Sequence, residues 1–197
     1  MRISKEKAAE NRAALIRAAS KLFRERGIDG VGVAEISKEA GLTHGALYAH
    51  FKSKEELALA ALEYGFEQTR ARMAAHGAGG TPDLAGYLDA CLSPAGRDDV
   101  AGGCPMAASA SEIGRHDTVL SARFAEGYQE TVRAFERRIA QQASPVDARA
   151  RAMVAVAAMI GALAVARGTA KGDPGLSAQV LDAARSLLDE LMLAPGA

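Results

Sequence analysis

The 197-residue chain has no tryptophan, four tyrosines, five phenylalanines and two cysteines, and its formal net charge is zero. Two cysteines cannot build a disulfide scaffold, so the composition fits a reducing, cytoplasmic compartment. A zero balance argues against a histone-like basic protein and against an acidic disordered tail. No stretch alternates Val, Ile, Thr and aromatics as a half-buried strand must, and strands are not expected. The longest run without a charge is residues 152–166, between Arg151 and Arg167. That is shorter than the ~20 apolar residues a bilayer crossing needs, so it reads as a buried helix and no membrane partner is expected. The opening residues 1–5 become charged at once and carry no apolar leader. Nucleotide-loop, nucleophile-elbow and zinc-protease motifs are absent and the four histidines are scattered, so no enzyme, cofactor or metal site is expected.

Against those absences stands an abundance of alanine and of helix punctuation. The hydrophobic share of 49% and charged share of 24% are those of an ordinary globular chain. Proline suits the first position of a helix, where its missing N–H is no loss. Pairs of a capping residue with proline mark helix starts near 82, 105, 145 and 174. Glycine marks stops at 27, 41, 77–80, 168 and 172. The expectation is an all-α protein of about nine helices: 5–26, 34–40, 43–50, 53–76, 82–93, 105–115, 117–142, 145–168 and 174–193. The zero charge also hides a distribution. Residues 1–55 hold eleven Lys and Arg against seven Asp and Glu, net +4, and the remainder is net −4. A basic first quarter suits contact with a polyanion.

The first quarter carries the clearest motif. Leu15, Ala18, Ala19, Leu22 and Phe23 form an apolar stripe at helical spacing, and Gly27 ends the helix, with Ile28 and Val31 tucked beneath it. Ile36 and Ala40 share a face of the next short helix. Gly41 permits a tight turn, and Thr43 is placed to cap a third helix in which Leu47 and Phe51 point inward. This is a helix-turn-helix, whose second helix fits the DNA major groove. Thr43, His44, Gly45, Tyr48 and His50 remain on its outer face. Ser53 and Glu56 then fit a capping box, and Lys54 places a cation beside exposed backbone amides, where a phosphate can bind.

Residues 12–57 resemble the DNA-binding domain of the TetR family of bacterial transcription regulators. The resemblance rests on the run from Leu47 to Leu57 and on the spacing of Leu22, Phe23, Gly27, Ile36 and residues 40–43. It implies a three-helix helix-turn-helix domain over 1–55 and a helical ligand-binding and dimerisation domain over 56–197. It further implies that Thr43, Tyr48, His50 and Lys54 touch the DNA backbone and that His44 and Gly45 lie nearest the base edges. Ala49 stands where many members carry an aromatic or polar residue. The partners implied are a double-stranded, palindromic operator, a second copy joined through 145–168 and 174–193, and a small-molecule, electrophile or oxidant effector that releases a repressor. An effector-independent helical DNA-binding protein is the alternative.

Within the body, Met153, Val154, Val156, Met159, Ile160, Leu163 and Val165 make one helix apolar nearly all round, which requires covering on every side. Tyr64, Tyr87, Cys91, Met106, Ser109 and Tyr128 are candidates to line an effector pocket, although plain core packing explains them too. Cys104 follows two glycines at a helix start. The helix dipole lowers a thiol pKa there and the glycines leave the sulfur unshielded, an arrangement suited to an oxidant or electrophile sensor with Lys171 as partner. The other reading makes Cys104 a small buried hydrophobe at a helix cap.

Overall fold

A computed structural model describes residues 4–76, 83–141 and 145–193. Among them are ten helices and no strand: α1 (Lys5–Arg26), α2 (Val33–Glu39), α3 (His44–Tyr48), α4 (Lys54–Ala75), α5 (Leu84–Cys91), α6 (Pro94–Asp98), α7 (Pro105–Ile113), α8 (Thr118–Ile139), α9 (Pro145–Thr169) and α10 (Pro174–Leu193). The helix start expected at Pro82 and the stops at 77–80 lie outside the described residues.

α1 begins where the Ser4 hydroxyl accepts the Lys7 amide, and ends at Gly27, whose φ of +79° side chains rarely adopt. The expected stripe is buried, and Ile28 and Val31 close beneath it. α2 and α3 fold across α1 through Ile36 and Leu47, both fully buried, and Gly41 takes a φ of +69° in the turn between them. Withdrawing each large aliphatic or aromatic side chain from water contributes about 1.5–3 kcal/mol, so this small core is sufficient to position a short helix. α4 leads from this head into the body. Its first half packs Leu57, Ala58 and Ala61 on α1, where the Ser20 hydroxyl donates to Ala61 O at 3.0 Å, and Phe66, Thr69 and Met73 are buried further along.

Prolines open α7, α9 and α10 as anticipated, and α6 repeats the signal unanticipated: Ser93 caps Gly96 at 3.0 Å and Pro94 sits in the first turn. Five residues leave no room for periodicity, which is why α6 was absent from the nine-helix expectation. Gly168 does not stop its helix; α9 runs through it to Thr169.

α9 packs between α8 and α10, burying Ala148, Ala152, Ala155, Val156, Met159, Leu163 and Ala166. The expected all-round cover is only half met. Val154 is 60% exposed and Val165 52%, with Met153 and the small residues Ala157, Ala158 and Gly161 also open. By length and composition residues 147–169 could cross a bilayer, with mean hydropathy 1.7, but one face of the helix is committed to the protein core.

Candidate nucleic-acid interface and effector cavity

Leu47 and Phe51 anchor α3 from beneath, and the Arg12 guanidinium lies over the Phe51 ring at 4.9 Å from its centroid. That pinning leaves Thr43, His44, Gly45 and Tyr48 exposed, with His50 half-buried at the helix end. Thr43 occupies the cap position, but its hydroxyl makes no capping bond and stays free to face outward partners. The His44 and Tyr48 rings meet edge to face, 5.5 Å apart. After α3, the Ser53 hydroxyl accepts the Glu56 amide at 3.2 Å, as the capping box requires. The reciprocal arm is displaced by one residue: Glu56 Oε2 accepts the Lys52 amide at 2.7 Å. Lys54 therefore stands in the first turn of a firmly capped helix, half-buried. All six expected DNA-contact residues lie on one continuous stretch, outside the core.

The body holds a half-open cavity of about 320 Å³ between α4, α5, α6, the start of α7 and α9, lined in part by Arg72, Tyr87, Cys91, Asp99, Cys104 and Leu163. Three of the expected effector residues, Tyr87, Cys91 and Cys104, meet there. The other candidates sit elsewhere. Met106 is fully buried core. The Ser109 hydroxyl donates to Pro105 O at 2.8 Å and belongs to a separate cleft of about 30 Å³ under α1. The Tyr128 hydroxyl donates to Met153 O at 2.8 Å, tying α8 to α9. Tyr64 is half-buried on α4 without lining this cavity, and Lys171 is exposed beyond α9.

Cys104 corrects the expectation of an unshielded sulfur: it caps α7 by position but is only 3% exposed. Burial pushes its thiol pKa up, and the first-turn amides with Arg167 and Arg72 offset that only in part. Burial likewise raises Cys91 to about 11. The cations near Cys104 are arginines.

Those arginines are the feature that sequence reading missed. Arg24 Nη1 donates to Gly103 O at 3.3 Å; Arg72 donates to Gly102 O and, at 3.1 Å, to Gly103 O. Arg167 donates to Arg97 O at 2.9 Å and to Gly96 O and Asp99 O at 3.3 Å. Three guanidinium groups thus converge on the backbone carbonyls of residues 96–103. Burial lowers the pKa of Arg24 and Arg167. Tyr87 is 1% exposed, its ring edge-on to His76 at 6.5 Å, and its hydroxyl has no oxygen or nitrogen partner, only the Cys91 thiol beside it.

α7 joins the cavity to the head. At its first turn Cys104 lines the cavity; near its last, Glu112 Oε1 accepts the amides of Ile28 at 2.6 Å and Asp29 at 3.2 Å. His116 Nε2 stands 3.7 Å from the same oxygen. Asp29, Glu112 and His116 form a compact group, but the two amides already occupy Glu112, making it a clasp between head and body.

A helix-turn-helix head joined by one long helix to a body that is all-α among its described residues, with a half-open cavity, defines a bacterial-regulator architecture. Residues 15–61 match the family model for bacterial regulatory proteins of the tetR family, and residues 84–178 match that for the C-terminal domain of LmrA/YxaF-like transcriptional regulators. The regulator TtgR of Pseudomonas putida is 44% identical over 63 residues, 32% of this chain and 30% of that protein. The repressor BepR of Brucella suis is 44% identical over 57 residues, 29% of this chain and 27% of its own. These matches to curated relatives span under a third of their length. A solved TetR regulator from Chloroflexus aurantiacus aligns over 96% of this chain and 98% of its own, at 27% identity and a TM-score of 0.74. The chain belongs to the TetR family, and it is a transcriptional regulator rather than an enzyme.

Proposed function

We propose that the chain is a homodimeric repressor that holds a palindromic operator through two heads and releases it when a small ligand fills the cavity. The observation that carries this is the outward face of α3: Thr43, His44, Gly45 and Tyr48 are exposed while Leu47 and Phe51 lock the helix to its core. Thr43, Tyr48, His50 and Lys54 hold phosphates, and His44 and Gly45 approach base edges. Phosphate contacts position the protein and base contacts specify sequence. Gly45 offers no side chain, so DNA shape supplies part of the specificity.

One recognition helix reads few bases, and two heads about 34–36 Å apart read two half-sites. The second copy covers the open face of α9 together with Leu176 and Leu187 of α10, which is 63% exposed at Leu187. The division between reading and effector domains falls at residues 55/56, in the first turn of α4, and the working compartment is the cytoplasm. The burial of Cys104 and the raised pKa of the half-buried Cys91 support a reversibly bound ligand over oxidation or alkylation as the signal. The ligand acts by favouring a body conformation whose displacement, carried to the heads through α4 and the α7 clasp, takes them away from groove spacing. An effector-independent DNA-binding protein has no use for a cavity into which a poorly paired hydroxyl is buried.

Selection of bound duplexes from a random pool is expected to return a palindrome. An asymmetric or sequence-neutral pool would overturn the repressor reading. Val154→Glu is expected to yield folded monomers on sedimentation and to reduce operator affinity at least a hundredfold.

A further inference from the structure

We infer that the cavity takes a small organic carboxylate, its anionic end against the Tyr87 hydroxyl and Arg72 and its apolar body on Ala90, Ala95 and Leu163. This rests on the reading of the cavity as the effector site and adds the chemistry of its occupant.

Two independent observations lead there. The first is the Tyr87 hydroxyl. The side chain is 1% exposed and lines the cavity, and its hydroxyl meets no oxygen or nitrogen partner, only the Cys91 thiol, which is a weak one. A buried hydroxyl in that condition is costly, and an acceptor delivered by a ligand removes the cost. The second is charge. Arg24, Arg72 and Arg167 surround the 96–103 carbonyls, yet among the described residues no carboxylate forms an ion pair with any of them. The carbonyl dipoles satisfy only part of the guanidinium hydrogen bonding, leaving Arg24 Nε and Arg167 Nη1 without partners, and they do not neutralise guanidinium charge. Of the nearby acids, Asp98 is engaged with Arg97 at 2.7 Å, and Asp99 alone lines the cavity, accepting the Gly102 amide at 2.7 Å. Of these ions only Arg72 and Asp99 line the cavity; behind the 96–103 carbonyls Arg24, Arg97 and Arg167 outnumber Asp98, and that excess leaves a positive field in a site of low polarity, where charge acts strongly.

A cationic ligand would meet that field unfavourably. A neutral amide would satisfy Tyr87 while leaving the charge uncompensated. A carboxylate does both, since charge-assisted hydrogen bonds are about twice as strong as neutral ones. Size restricts the class further. About 320 Å³ lies at the small end of ligand pockets, enough for one ring or a short chain bearing a single acid group. Ala90, Ala95 and Leu163 offer nothing to a second polar end, and His76, which also lines the cavity, is exposed to solvent.

The test uses the full chain with a duplex carrying its selected operator. The probes are benzoate, phenylacetate and hexanoate, each beside its primary amide and the corresponding amine. At least one carboxylate is expected to raise the thermal midpoint and release the duplex, and its amide and amine to bind at least tenfold more weakly. Tyr87→Phe separates a ligand role from a packing role. It is expected to raise the midpoint of the unliganded protein by removing a buried hydroxyl whose only partner is a thiol, while weakening carboxylate binding roughly tenfold. The inference is overturned if no carboxylate shifts the midpoint, if an amide or amine binds as tightly, or if Tyr87→Phe leaves carboxylate binding unchanged. Release of the duplex by an amide or amine would keep the cavity as effector site and remove only its charge preference. A Tyr87-dependent midpoint shift without release would keep the ligand class and remove the effector role.

Discussion

The head and the body dispose of their apolar surface in opposite ways. In the head, Leu15, Leu22, Ile36, Leu47 and Phe51 close on one another, and Tyr48 is the one large hydrophobic left exposed among its described residues. In the body, Met153, Val154, Val165, Leu176 and Leu187 remain open to solvent on α9 and α10. The head is finished as a monomer because its partner is a polyanion, which binds through polar and cationic groups. On the proposed reading the body is left open because its partner is another body, and buried apolar area is what makes such a union durable. What each region leaves exposed therefore states what it is built to meet.

Four measurements bear on this contrast, taken from the largest effect to the smallest. Leu47→Ala is expected to cost about 3–4 kcal/mol, as large core truncations do, and to remove hydrogen-exchange protection from α1 to α3. Equal loss across α8 to α10 would show that the two regions share one core. Glu112→Gln keeps an acceptor for the Ile28 and Asp29 amides but loses the charge, and is expected to cost about 1–2 kcal/mol of thermal stability. It should also reduce the coupling between ligand and operator; unchanged coupling would move the connection back to α4 alone. Lys54→Ala is expected to weaken binding to every duplex alike and reduce the salt slope by about 1. Lost sequence discrimination at an unchanged slope would contradict the phosphate role. Last, Cys91 should react with iodoacetamide more slowly than a free thiol at pH 7.5, its rate still climbing beyond pH 10 because its pKa is raised to about 11. A plateau below pH 9 would mean that the sulfur is not held in a buried setting.

The head was far more legible in the sequence than the cavity, and for a physical reason. The stripe of α1, the turn at Gly41 and the Ser53 cap are all short-range devices, with cause and effect a few residues apart. The cavity is assembled from α4, α5, α6, α7 and α9, and no local pattern announces such a meeting. Cys104 illustrates the gap. Its two glycine neighbours correctly report little local bulk, but its shielding comes from parts of the chain distant in sequence, and burial overrides the helix dipole. The arginine cluster was invisible for a further reason: its partners are main-chain carbonyls, which every residue has. Tyr87 and Cys91 were named from chemical character alone, and the fold then brought them together.

Gly27 draws these strands to one point. Its φ of +79° already disfavours a side chain, and a Cβ there would also lie 2.9 Å from Glu112 Oε1, the atom that clasps head to body. A replacement at that position would act less as a lesion in a helix end than as a cut in a signalling line. Gly27→Ala protein that still folds is expected to occupy the operator and ignore the ligand, measured as duplex retained at ligand concentrations that empty the unaltered protein. Deafness to the inducer would then arise without touching the reading helix or the cavity.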